Sequence, residues 1–175
     1  MDHDNLVLVV GSYADAAPAN EDFKALKAGQ DAGEYQVVGA VVMSRDASGK
    51  VDVQEHGDGR TAHGAVLGGS AGLVVGLFAP PLLAATAIGA GIGAVLGHLS
   101  KRHAEKELGV DVEEYLPPGS SAVVAVVDDT YADKVENVLV KSDKRINKAI
   151  DSGDYQKLQD AISKSGADLS GTITS

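Results

Sequence analysis

Leu116-Pro117-Pro118-Gly119-Ser120, followed by Ser121-Ala122-Val123-Val124-Ala125-Val126-Val127, is the stretch that decides the fold. Two prolines and a glycine punctuate the chain, and the small and β-branched residues after them make a short buried strand. A similar opening stands near the N-terminus, where Leu6-Val7-Leu8-Val9-Val10 is followed by Gly11-Ser12. Each strand leads into a helix. In the first helix Asn20 is expected as the cap, with Glu21 and Asp22 at the positive end of the dipole. Phe23 and Leu26 form its inner stripe, and Gly29 and Gly33 end it. The second is expected to start near Thr130, because Val135, Val138, Leu139, Ile146, Ala149 and Ile150 keep helical spacing as far as Gly153. Helical character then runs on through Tyr155, Leu158 and Ile162, giving a long helical stretch over about 141–164.

Three further segments complete the pattern. Tyr35 to Met43 is a valine-rich strand, Arg45 to Lys50 a turn, and Val51-Asp52-Val53-Gln54 the returning strand of a hairpin. The stretch 167–174, with Leu169, Gly171 and Ile173 on one face, is expected to be the closing strand. Residues 5–43 and 120–174 thus each read strand, helix, strand, the near-symmetry of an α+β, ferredoxin-like βαββαβ sandwich. Right-handed crossovers would place both helices on one face of an antiparallel sheet. The expected organisation is one such domain built from 1–60 and 110–175, interrupted at 61–109 by an inserted helical hairpin.

The insertion is set apart by charge. All 15 Lys and Arg and all 25 Asp and Glu lie outside residues 61–100. Within that block Gly64, Gly68, Gly72 and Gly76 recur every four residues, and Gly89, Gly93 and Gly97 do so again. Glycines four apart stack on one face of a helix and let another backbone approach closely. Each costs roughly 0.5–1 kcal/mol relative to alanine inside a helix, so close helix packing must compensate. Pro80-Pro81, with Phe78 just before, is expected at the hairpin tip, between arms near 64–79 and 82–107.

A lipid bilayer is one environment for such a hairpin. The first arm of 16 residues, however, spans only about 24 Å against a hydrocarbon core of roughly 30 Å. Arg60, Lys101, Arg102 and Lys106 place cations at both ends, as expected if both termini stay on the cytoplasmic side. The alternative is burial against identical hairpins in a soluble homo-oligomer. Packing of the hairpin onto its own domain as ordinary core is the least expected of the three arrangements.

Leu6 to Val10, the hairpin ending at Val51-Asp52-Val53, the two glycine series around the prolines, Leu116-Pro117-Pro118-Gly119-Ser120-Ser121-Ala122 and Gly166-Ala167-Asp168-Leu169 together carry a resemblance. The chain resembles an uncharacterised bacterial family of predicted membrane proteins that share a domain of unknown function. It also resembles general stress proteins with a glycine-zipper insertion. That resemblance implies an α+β domain, a hydrophobic hairpin and self-association, and it brings no substrate or catalytic residue. The long helical stretch 141–164 departs from it, where a shorter link to the last strand is expected.

Other chemistries find little support. A net charge of -10 argues against a nucleic-acid partner, and the absence of cysteine removes disulfides, thiolate metal sites and thiol nucleophiles. Gly68-Gly69-Ser70-Ala71-Gly72 has the spacing of a nucleophile elbow but lies in the glycine series with no acid near it. Gly89-Ala90-Gly91-Ile92-Gly93-Ala94 imitates a dinucleotide fingerprint without the surrounding βαβ units. His56, His63, His98 and His103 collect at the hairpin base without metal-ligand spacing. Lys141, Lys144, Arg145 and Lys148 would form a cationic face on the expected helix, either solvated or bound to an acidic group.

The sequence therefore leads to a non-enzymatic protein with no catalytic residue, metal or cofactor, whose partner is itself and, in the inserted version, the lipid bilayer. The lack of a secretory signal pattern points to the cytoplasm or the cytoplasmic face of the inner membrane. The alternative function is a ferredoxin-like ligand-binding or enzymatic domain.

Overall fold

The computed structural model describes residues 5–54, 69–80 and 93–161. Their elements are β1 (Leu6–Tyr13), α1 (Ala16–Asp31), β2 (Val37–Arg45), β3 (Val51–Gln54), α2 (Gly69–Phe78) and α3 (Gly93–Ala104). There follow α4 (Val112–Tyr115), β4 (Ser121–Asp128), α5 (Asp129–Val138) and β5 (Lys144–Ala149), and then a helix over 152–161, α6. The five strands form one antiparallel sheet in the order β3-β2-β4-β1-β5. The fold class is α+β, as the sequence leads one to expect.

β1 and β4 lie at the centre, with Leu8 opposite Val126 and Val10 opposite Val124. Both strands are almost wholly apolar, so each face of the sheet must be covered. One face packs Val9, Val42, Val123, Ala125 and Val127 against Phe23 and Leu26 of α1 and Val135 of α5. The other packs Leu6, Leu8, Val10, Val41, Met43, Val124 and Val126 against α2, Leu99 of α3, Tyr115 of α4 and Tyr155 and Leu158 of α6. The result is three layers: helices, sheet, helices.

Local signals set the ends of these elements. α1 begins earlier than expected, at Ala16, and the Asp15 before it makes no side-chain cap. Asn20 lies inside the helix and donates to the Ala16 carbonyl. The helix runs on through Gly29, expected from the sequence to help end it, to Asp31, and is closed just beyond by Gly33, whose φ of +80° lets Glu34 donate back to the Gly29 carbonyl. Gly29 is required for another reason: a Cβ there would strike the Tyr35 hydroxyl, which donates to the Leu26 carbonyl at 2.8 Å. The β2–β3 turn is held by Asp46, whose carboxylate accepts from the Ser48 and Lys50 amides and the Ser48 hydroxyl.

The C-terminal half corrects the sequence reading. The helix expected from Thr130 through Ile150 ends at Val138, and residues 144–149 form the edge strand β5, paired to β1 with Val10 opposite Ile146. The long helical stretch over 141–164 is thus a strand and a separate helix. The fourth strand of the central set is 144–149, while the expected closing strand at 167–174 lies outside the described residues. Helical and strand periods share several positions here. Ile146 alternates with Lys144 and Lys148 on one face of the strand, and its lysines suit an exposed sheet edge.

Candidate functional site

Two places carry the candidate residues: the glycine series of the uncharged block, and a cleft beside β5. In the first series, Gly64 and Gly68 lie outside the described residues, whereas Gly72 and Gly76 are buried in α2. Leu73, Val74, Val75, Leu77 and Phe78 are all at most 5 % exposed and pack over β2 and β4. Burying five such side chains contributes roughly 1.5–3 kcal/mol each, which outweighs about 1 kcal/mol per glycine. The described part of the first arm is therefore core of its own domain, the arrangement ranked last from the sequence.

The tip reading also changes. Phe78 is fully buried, Pro80 is buried, and Pro81 lies outside the described residues. Val110 donates to the Phe78 carbonyl at 3.0 Å. Residue 78 therefore sits beside the far end of the expected second arm, not at a free tip remote from it. Gly109 makes this approach possible, since its φ is +78° and a Cβ would strike the Phe78 carbonyl oxygen.

In the second series, Gly89 lies outside the described residues and Gly93 begins α3. Gly97 stands within α3, exposed, and a Cβ built on it would meet nothing within 4 Å. The two ridges are thus in opposite situations: α2's is enclosed and α3's is open at Gly97. Among the described residues, no helix is long and apolar enough to cross a membrane.

Of the histidines, His56 and His63 lie outside the described residues; His98 is exposed, and His103 Nδ1 is 2.9 Å from the Leu108 carbonyl. Among the described residues no cluster of His, Asp and Glu could hold a metal ion. Ser70 falls in the first turn of α2, and residues 55–68 before it and 89–92 of the dinucleotide-like motif lie outside the described residues.

The four cations read as a helical face are distributed over a loop and β5. Lys141 pairs with Glu21, Lys144 with Glu114 at 3.2 Å, and Arg145 donates to the Glu136 carbonyl. Lys148 is different. Its Nζ donates to the carbonyl oxygens of Gly109 at 2.7 Å and Lys106 at 3.2 Å. Burial lowers its pKa. It forms one wall of a half-open cleft of about 600 Å³ between the end of α3, α4 and β5, a size common for small-ligand sites. His103, Lys106, Asp111 and Glu114 add polar groups, and Leu108, Val110, Tyr115 and Ile146 an apolar surface. Sequence reasoning missed this cleft, because it forms only once 144–149 is a strand lying beside 106–110.

Comparison with protein families matches residues 65–163 to the family described as Protein of unknown function (DUF1269). The match takes in the uncharged block from residue 65 onward and everything from α2 to α6, but not β1 to β3. Comparisons with curated proteins and with solved structures each found no match. Because the matched stretch is more than half of the 175 residues, the chain belongs to the DUF1269 family.

Proposed function

We propose that the protein is a non-enzymatic, self-associating member of its family, with a ferredoxin-like core, and that its homotypic contact is made by the second glycine ridge. The strand order β2-β4-β1-β5, with crossover helices α1 and α5 packed on one face, supports the ferredoxin-like reading. The observation that carries the association is Gly97. A glycine exposed within a helix costs about 1 kcal/mol relative to alanine, and among the described residues nothing packs on it to compensate. A second backbone approaching that open face supplies the compensation, as small residues four apart do in helix pairs. The ridge of Gly89, Gly93 and Gly97 is then the association face, while Gly72 and Gly76 seat α2 in the core. Val140 is the one exposed large hydrophobic side chain among the described residues, so the described surface offers no competing apolar patch. The contact would form either in a soluble assembly or at a lipid bilayer.

The test compares two single substitutions. Gly97→Leu should reduce the assembled mass and keep the far-ultraviolet circular dichroism of the wild type; Gly72→Leu should damage the fold itself. Equal mass for Gly97→Leu and wild type counts against the ridge.

A further inference from the structure

The cleft beside β5 has a chemistry of its own, separate from the glycine ridge. Lys148 is half-buried, its ammonium is satisfied on one side by two neutral carbonyl oxygens, and it has no carboxylate within ion-pair distance among the described residues. Two further cations are matched: Lys144 with Glu114, and Arg102 with Asp154 and Glu107. A partly desolvated charge without a counter-ion favours an anion in the space it lines.

The backbone of the same wall is strained. Lys106 has φ +64°, in the left-handed region where glycine is the usual residue at a helix C-terminus. Glu107 donates to the Arg102 carbonyl and Lys106 to the His103 carbonyl, which fixes that conformation. The turn points the Lys106 carbonyl at Lys148 Nζ and makes Lys106 part of the cleft wall.

The remaining lining selects the kind of anion. Asp111 and Glu114 also border the cleft, so a dianion would be repelled more strongly than a monoanion. Val110, Ile146 and the Tyr115 ring supply an apolar wall that a bare inorganic ion leaves unused. We propose that this cleft binds a small organic monocarboxylate, with its carboxylate on Lys148 and its aliphatic or aromatic body against Val110, Tyr115 and Ile146.

The test uses the full-length protein and three probes: hexanoate, its uncharged isostere hexanamide, and inorganic phosphate. Amide resonances of 108–111 and 146–148 are followed by NMR. Saturable shifts with hexanoate, about tenfold weaker binding of hexanamide and no saturation by phosphate are expected. Lys148→Gln should weaken hexanoate by a similar factor, and because the isostere comparison needs no substitution, it stands even if this variant does not fold. Hexanamide binding as tightly as hexanoate, phosphate saturating the same resonances, or no saturable shift with hexanoate would each overturn the proposal.

Discussion

The backbone amide of Val110 donates to the carbonyl of Phe78 at 3.0 Å, joining the end of α2 to the segment that follows α3. This one bond brings the two ends of the described hairpin segments together over the sheet. It also makes Gly109 a point of no tolerance. A Cβ there would contact the Phe78 carbonyl oxygen and lie 2.8 Å from His103 Nδ1, in a backbone conformation that already disfavours other residues. Gly109→Ala is expected to destabilise the protein by about 1–3 kcal/mol, measured by urea unfolding. A loss within about 0.5 kcal/mol would show that the junction is not tight.

Lys106, three residues earlier, should respond in the opposite direction. Its left-handed conformation costs about 1 kcal/mol that glycine would not. Lys106→Gly is expected to raise the unfolding midpoint, and a lowered midpoint would mean that the side chain contributes more than the strain removes.

Tyr13 and Asp22 form a buried pair on the other side of the sheet, with the hydroxyl 2.7 Å from the carboxylate. The same carboxylate oxygen accepts from the Lys141 amide at 2.9 Å, so it ties α1 to the loop before β5. Burial, reinforced by the adjacent carboxylate, drives the Tyr13 pKa far up. Tyr13→Phe removes a donor from a buried acceptor and should cost about 1–3 kcal/mol. In the wild type, absorbance titration should find at least one tyrosine that does not ionise until the protein unfolds at high pH, since burial also raises Tyr35 and Tyr155.

Asp154 gives a pH signature. It is 2 % exposed, with Oδ2 3.0 Å from Arg102 Nη2 but without a well-aligned hydrogen bond. Burial pushes its pKa above 3.8, Arg102 opposes the rise, and Asp151 adds to it. Because the folded carboxyl holds its proton more tightly than the unfolded one, the penalty is complete above the folded value. It is relieved as pH falls from that value toward 3.8. Across this window the melting temperature of the wild type should improve relative to Asp154→Asn. A difference that moves the other way would show that Arg102, not burial, governs the carboxylate.

Much of this architecture is legible in the residues, but unevenly. Leu6 to Val10 and Ser121 to Val127 declare buried strands, and Arg45 to Lys50 declares a turn, because each depends on local chemistry. β5 does not declare itself. Leu139 to Asp143 contains neither glycine nor proline to mark the end of α5, and Ile146, Ala149 and Ile150 continue the spacing of Val135 and Val138. The destination of α2 was written in the strands rather than in the helix. Valine and leucine on both faces of β1 and β4 require two covering layers, and α1 and α5 supply only one. The Lys148 cleft depends on 106–110 meeting 144–149, a long-range juxtaposition that no local pattern encodes.

The most direct test of self-association is the particle mass of the wild type and Gly97→Leu, measured side by side by light scattering in the medium from which the wild type is recovered. The wild type should be a defined multiple of 17.9 kDa and the variant should fall toward a single chain. A wild-type monomer, or a variant of unchanged mass, would contradict the account.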